Sequence, residues 1–157
     1  MRYIVSACLA GAACRYDGRH SRSEKVVGLV RRGEALPACP EQLAGFPTPR
    51  PPAELRRGDG RAVLRGEAAV ADHAGRTVTD LYLRGAIEFL SLARIFGAGA
   101  AVLKDRSPSC GVRKVTIDGR VQSGRGVAAA FLESEGLRLV TPSALPRERP
   151  PVGGEGR

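Results

Sequence analysis

The apolar positions of this chain form short runs that alternate with longer segments of helical periodicity. Short apolar runs predict strands at residues 2–7, ending near 39, at 100–104 and at 137–140. Apolar residues spaced three and four apart predict helices from about residue 24 to Gly33, from Thr77 or Thr79 to about Phe96, and from about 126 to 135. Strands that alternate with helices predict an α/β fold, a three-layer sandwich around a mostly parallel, Rossmann-like central sheet.

Glycine, proline and capping residues mark where these elements end. Ser21 and Glu24 have the spacing of a capping box at the start of the first helix. The Asp118–Gly119 pair predicts the turn of a small hairpin over residues 115–121. Five prolines in residues 40–52 predict a stiff extended path without helix or central strand, and residues 61–71 predict a hairpin or an irregular excursion.

Three cysteines each follow one of the short apolar runs. Cys8 comes after the first run, Cys39 after the second, and Cys110 after residues 100–103 and a short loop. In a parallel sheet the carboxyl ends of the strands lie along one edge, where open α/β sheets bind their ligands. The pattern therefore predicts three thiols around one pocket, and with them a metal or a cluster.

Composition favours a globular protein with a basic surface. The chain has 157 residues, 43% hydrophobic and 26% charged, and predicts one domain over residues 1–145 followed by a disordered Pro/Gly/Arg-rich tail, 146–157. The net charge of +9 makes RNA a candidate partner, although the arginines are spread along the whole chain. We expect a cytoplasmic protein, because neither a signal peptide nor a membrane-spanning segment is evident.

The cysteines admit several interpretations. A structural zinc site usually contains a tight C-x-x-C pair, which is absent, and only His20 and His73 could add nitrogen. A thiol-phosphatase loop needs Arg six positions after the nucleophile, where this chain has Cys14 instead. Buried cysteines can also act as small hydrophobic residues. Three cysteines from separate loops suit a 4Fe-4S cluster with one open iron that could act as a Lewis acid.

Polar residues accompany the cysteines. Glu41 follows Cys39 by two positions, and a carboxylate near a cluster could act as general acid or base. Ser107 and Ser109 flank Pro108 before Cys110 and could orient water or hold an anion, or simply form a turn.

Three motifs resemble one family. They are Val5-Ser6-Ala7-Cys8-Leu9 with Cys14-Arg15-Tyr16-Asp17-Gly18, Cys39-Pro40-Glu41-Gln42-Leu43-Ala44-Gly45 with Pro47-Thr48-Pro49-Arg50-Pro51-Pro52, and Lys104-Asp105-Arg106-Ser107-Pro108-Ser109-Cys110-Gly111. In this order they resemble the domain-of-unknown-function family (DUF 523) that contains the bacterial thiouracil desulfidases. Ala44 and Phe46 depart mildly from the usual pattern.

This resemblance implies a 4Fe-4S cluster held by Cys8, Cys39 and Cys110, with Cys14 outside the ligand set. It also implies that Glu41 and a serine assist catalysis. Ser107 is the matching position for that serine, and Ser109 is the alternative.

The predicted function is therefore non-redox desulfidation of a thiolated pyrimidine. The free base is the preferred substrate, and we predict that Tyr16, Asp17 and Arg50 bind it. Two alternatives stay open: the same chemistry on thiouridine in tRNA, and a basic nucleic-acid-binding module with a structural metal. No membrane partner is expected, and no feature of the sequence indicates an oligomeric state.

Overall fold

The computed structural model of this chain describes residues 1–147. The strands are Tyr3–Ser6 (β1), Ala35–Ala38 (β2), Ala53–Arg56 (β3), Ala69–Asp72 (β4), Ala100–Val102 (β5), Lys114–Ile117 (β6), Arg120–Ser123 (β7) and Arg138–Val140 (β8). The helices are Glu24–Arg31 (α1), Pro40–Leu43 (α2), Gly60–Leu64 (α3), Thr79–Phe96 (α4) and Val127–Ser134 (α5). Among these five helices, none has the length and apolar content needed to cross a membrane.

One sheet is entirely parallel and forms the middle layer of an α/β sandwich, as predicted. Its strand order is β2-β1-β5-β8. Successive side chains of a strand face opposite sides, so Val5 packs in the core on the α1 side, while Ile4 packs with Phe89 of α4 and Leu132 of α5. The α/β fold class and the parallel sheet are therefore confirmed.

A second four-stranded sheet, of order β4-β3-β6-β7, was not foreseen as a sheet. It is mixed: β3 pairs with β6 in parallel, and the two outer pairs are antiparallel. The predicted Asp118–Gly119 turn is confirmed, with both residues at positive φ between β6 and β7. Helices α4 and α5 also pack against this sheet, because Tyr82 and Val127 share a core with Leu55. Both sheets thus rest on the same pair of helices.

Three local predictions were wrong. The proline-rich segment contains a one-turn helix, because Pro40 occupies the first helical position, where the missing N–H is not needed. Residues 61–71 form α3 and the start of β4 rather than a hairpin. The residue that precedes α1 is Ser23, and it makes no side-chain cap, while Ser21 accepts a hydrogen bond from Arg15. The predicted tail lies outside the described residues from position 148 onward.

Two glycines allow close backbone contacts that position loops at one end of the parallel sheet. A Cβ on Gly85 of α4 would collide with the carbonyl oxygen of Pro40, so α4 packs directly on α2. A Cβ on Gly126, just before α5, would overlap the backbone of Ser109 and Cys110. These contacts fix the segments that follow β2 and β5 against the helical layer.

Candidate active site

A cavity of about 320 Å³ lies at the carboxyl ends of β1, β2 and β5. Its size is typical of a small-molecule site. The sulfur-bearing and polar residues that line it include Ser6, Cys8, Cys14, Arg15, Tyr16, Cys39, Glu41, Arg50, Tyr82, Lys104, Asp105, Arg106, Ser107, Ser109 and Cys110. The three cysteines predicted to converge do so, and Cys14 joins them.

Each of the three cysteines follows a strand of the parallel sheet, by a different connection. Cys8 lies in a 3₁₀ turn, residues 7–10, directly after β1. Cys39 immediately precedes α2, and its carbonyl accepts the first hydrogen bond of that helix, from Leu43. Cys110 lies in the loop between β5 and β6 and is anchored by the Ser107 hydroxyl, which accepts from its amide at 3.0 Å.

The thiols interact with one another. A hydrogen bond from Cys39 lowers the pKa of Cys14, but its hydrogen bond with Cys8 and its burial raise that pKa to about 11 overall. The hydrogen bond with Cys14, followed by burial, raises the pKa of Cys39 well above that of a free thiol. Burial raises the pKa of Cys110 to about 12. These three thiols keep their protons at neutral pH, and metal binding would release them.

The donor set suits a cluster better than a single ion. Within residues 1–147, no group of three or more His, Cys, Asp or Glu side chains is arranged to hold one metal ion. The cysteines instead border the cavity from separate segments. Thiolates are the ligands of iron–sulfur clusters, in which each cysteine binds a different iron. Cys8, Cys39 and Cys110 reach the cavity from three separate segments and so fit the ligand set of an iron–sulfur cluster.

A buried ion pair joins Glu41 to Arg50 at the wall of the cavity. Both residues are 9% exposed, and Nε and Nη2 of Arg50 lie 2.7 and 2.6 Å from Oε2 of Glu41. Oε1 of Glu41 accepts a hydrogen bond from the Ser109 hydroxyl at 3.1 Å. Tyr82 lies nearby, and burial followed by the Glu41 charge raises its pKa. Glu41 is thus held by Arg50 on one oxygen and by Ser109 on the other.

The two serines of the loop before Cys110 differ in their contacts. Ser109 is buried, and its hydroxyl lies 3.7 Å from the Cys110 sulfur. Ser107 accepts from the amides of Ser109 and Cys110, and its hydroxyl oxygen is 3.1 Å from that of Ser109. Because Ser109 uses its proton toward Glu41, Ser107 must donate in the bond between the hydroxyls. The result is a hydrogen-bonded chain from Ser107 through Ser109 to Glu41.

Asp105 organises the loop that carries these serines. Its Oδ1 accepts hydrogen bonds from the backbone amides of Arg106, Val112, Arg113 and Lys114, at 3.0 to 3.1 Å. Partial burial acts to raise the pKa of Asp105, but these amide hydrogen bonds outweigh burial and lower it. The ionised carboxylate therefore closes the loop on both sides of Cys110.

We expect Asp105→Asn to lower the free energy of unfolding at pH 7 by about 2 kcal/mol, because hydrogen bonds to an ionised acceptor are stronger than neutral ones. The lowered pKa means that this contribution is present above the ordinary value of 3.8 and is lost as pH falls through the folded-state value. Urea unfolding at neutral and acid pH measures the effect.

Asp118→Asn is the matched control for Asp105→Asn, because Asp118 accepts one backbone hydrogen bond, from Arg57, and asparagine tolerates its positive φ. Its free energy of unfolding should stay close to that of the wild type at both pH values. The free energy of unfolding of Asp105→Asn should approach that of the wild type at acid pH. If the difference between them stayed the same there, it would contradict the role given to the carboxylate.

The remaining predicted residues lie at different distances from the cavity. Tyr16 lines it and is exposed, whereas Asp17 accepts hydrogen bonds from Arg15 and from the Arg19 amide and is not a lining residue. His20 and His73 are exposed and do not line it.

Sequence reasoning missed Ser6, Tyr82 and Lys104 as lining residues. The position of Ser6 and Lys104 at or just after the ends of β1 and β5 could have revealed them. Tyr82 carries no such signal, because it belongs to the apolar face of a long helix.

Comparisons with known proteins give a family, a sequence relative and a similar solved structure. The profile of the 2-thiouracil desulfurase family matches residues 3–143. A Bacillus subtilis (strain 168) protein named "Uncharacterized protein YbbK" is 44% identical over 145 residues, which is 90% of this chain and 96% of that protein. The solved structure of the [4Fe-4S]-dependent thiouracil desulfidase TudS (DUF523Vcz) superposes with a TM-score of 0.79 at 37% identity, covering 92% of each chain.

Proposed function

Because the chain belongs to the 2-thiouracil desulfurase family, we propose that it hydrolyses the carbon–sulfur bond of a thiolated pyrimidine of the 2-thiouracil type. The reaction is not a redox reaction: water supplies the new oxygen, and hydrosulfide leaves. The observation that carries the proposal is one cavity that brings cysteine thiols together with a buried, hydrogen-bonded carboxylate. The similar TudS structure is that of a [4Fe-4S]-dependent enzyme.

Cys8, Cys39 and Cys110 would hold a 4Fe-4S cluster. Such a cluster, bound through three cysteines, offers an open iron that attracts soft sulfur and acts as a Lewis acid on the carbon–sulfur bond. The cysteines come from the three connections that follow β1, β2 and β5 and reach the cavity from separate segments.

Glu41 is the proposed general base. It would take a proton from the water that attacks the thiolated carbon. In the structure Ser107 donates to Ser109 and Ser109 donates to Oε1 of Glu41 at 3.1 Å. A protonated Glu41 would send its proton back along this chain once both serine hydroxyls rotate to donate in the opposite direction. Tyr16 and Asp17 remain proposed substrate ligands, Tyr16 at the cavity wall and Asp17 through its neighbour Arg15.

For Arg50 the geometry supports positioning rather than direct substrate binding. Its five N–H groups have protein acceptors: Glu41 at Nε, Pro47 and Thr48 at Nη1, and Glu41 and Cys14 at Nη2. None remains for a substrate. A planar guanidinium with fixed donors is suited to orienting a carboxylate, so we propose that Arg50 holds Glu41 in its catalytic position.

Arg50→Lys should lower kcat roughly 10- to 100-fold with little change in KM and unchanged iron content, because misplacement of a catalytic group by about 1 Å can cost about two orders of magnitude. Added guanidinium should restore part of the activity of Arg50→Gly, which a purely structural defect would not allow. Steady-state kinetics with iron analysis measures these effects.

Arg61→Lys is the matched control, since Arg61 makes a similar forked pair with Glu133 on the exposed surface. Its kinetics should equal those of the wild type. A rise in KM without a change in kcat for Arg50→Lys would instead return Arg50 to substrate binding.

The proposed function is tested by anaerobic reconstitution, with iron and sulfide counted per chain, followed by incubation with 2-thiouracil. We expect four irons per chain, released hydrosulfide and an equal amount of uracil. A loaded protein that releases no sulfide from any thiolated pyrimidine would overturn the proposed reaction, and a protein that takes up no iron would overturn the cofactor.

A second candidate substrate is the same thiolated base within RNA. The net charge of +9 favours a polyanion, and Arg15, Lys104 and Arg106 line the cavity. The assay therefore includes thiolated tRNA. A rate on tRNA above that on the free base, falling steeply with salt, would favour this substrate.

A further inference from the structure

Cys14 is the one cysteine of the chain that the proposed ligand set leaves out, yet it lines the same cavity. Its side chain is 3% exposed. The thiol of Cys39 donates to the Cys14 carbonyl at a sulfur–oxygen distance of 3.9 Å, and both residues line the cavity together with Cys8. A cysteine that serves only packing contacts aliphatic neighbours, whereas Cys14 packs in one cluster with Cys8 and Cys39 and lines the cavity with them. It is therefore part of the group of thiols.

The backbone of Cys14 is tied to the proposed base. Nη2 of Arg50 donates to the Cys14 carbonyl at 2.8 Å and lies 2.6 Å from Oε2 of Glu41. One guanidinium nitrogen thus joins both residues and keeps them on the same side of the cavity. If Glu41 is the base beside the thiolated carbon, this tie puts the Cys14 backbone on the side of the cavity where the substrate would bind.

We propose that Cys14 supplies a fourth thiolate to the cluster while no substrate is bound, and that the sulfur of the substrate displaces it. The inference rests on the proposed function, because it presupposes a cluster on the other three cysteines. No electrons are exchanged: the Cys14 sulfur–hydrogen bond breaks as its bond to iron forms, and its proton goes to solvent. When the substrate sulfur takes the same position, Cys14 regains a proton from solvent.

The ligand role predicts how firmly the fourth iron is held. An iron without a protein ligand is lost readily on oxidation, and the remaining three-iron cluster has its own EPR signal. We would load wild type and Cys14→Ala anaerobically, confirm four irons in each, and oxidise both with ferricyanide. Cys14→Ala should lose its fourth iron at least about tenfold faster than wild type. Cys14→Val is a second variant in case Cys14→Ala does not fold.

Tyr16→Phe is the matched control, since Tyr16 lies two residues away in the same loop and lines the same cavity without a sulfur. It should keep its fourth iron as wild type does. Equal rates of iron loss in wild type and both Cys14 variants, with four irons in each at the start, would overturn the role of Cys14 and leave the proposed function standing. Failure of wild type to take up iron would overturn the proposed cofactor, and the inference with it.

Discussion

Glu41→Gln is expected to keep the full iron content and to lose activity by roughly 10²- to 10⁴-fold, the usual contribution of a general base. Glutamine has almost the same shape as glutamate. Of the possible substitutions it therefore disturbs the contacts with Ser109 and Arg50 least. Its amide cannot take a proton from water. Single-turnover release of hydrosulfide, normalised to bound iron, measures the loss.

Glu133→Gln controls for the removal of one arginine-paired carboxylate. Glu133 pairs with Arg61 and Arg125 on the surface away from the cavity, and its substitution should leave turnover unchanged. Turnover of Glu41→Gln within about twofold of wild type would remove Glu41 as the base and would direct attention to the two serines.

Cys110→Ala is expected to abolish both cluster binding and turnover. Cys110 is buried beside Ser109, and its substitution leaves the loop after β5 without a thiol toward the cavity. In a cluster held by Cys8, Cys39 and Cys110, the substitution would leave one iron without its thiolate. Iron content and the visible absorption of the reconstituted protein measure the loss, and Cys14→Ala, in the same cavity, should retain four irons.

Circular dichroism and thermal unfolding of Cys110→Ala without iron would show whether the fold is kept. Retention of four irons by a folded Cys110→Ala chain would contradict its assignment as a ligand. In that case Cys14 together with Cys8 and Cys39 would form the ligand set.

The parallel sheet could be predicted because its strands carry a strong local signal. Tyr3–Ser6, Ala100–Val102 and Arg138–Val140 lie in or next to apolar runs, and glycines end the helices between them. Given parallel strands, convergence of Cys8, Cys39 and Cys110 follows from topology alone. The convergence of the three cysteines could therefore be predicted without any knowledge of side-chain contacts.

The second sheet and the inner contacts of the site could not be predicted in this way. The strands Ala53–Arg56 and Ala69–Asp72 are short and contain charged residues, so their pairing depends on the helical layer beneath them. Likewise, the contacts of Glu41 with Ser109 and Tyr82 join residues far apart in the sequence. Nothing in the local pattern around Tyr82 distinguishes it from a core residue.

The order of strands in the parallel sheet bears on the stage of folding at which a cluster could be bound. β5 lies between β1 and β8, and the loop with Cys110 is packed on the start of α5. A nascent chain on the ribosome that has exposed only its first half therefore presents Cys8, Cys14 and Cys39 on an incomplete sheet. Non-local pairing of this kind forms only after the distant strands are available. The three cysteines are brought together only when β5 and β8 have joined the sheet, so we expect the cluster to be acquired by the folded chain rather than during its synthesis.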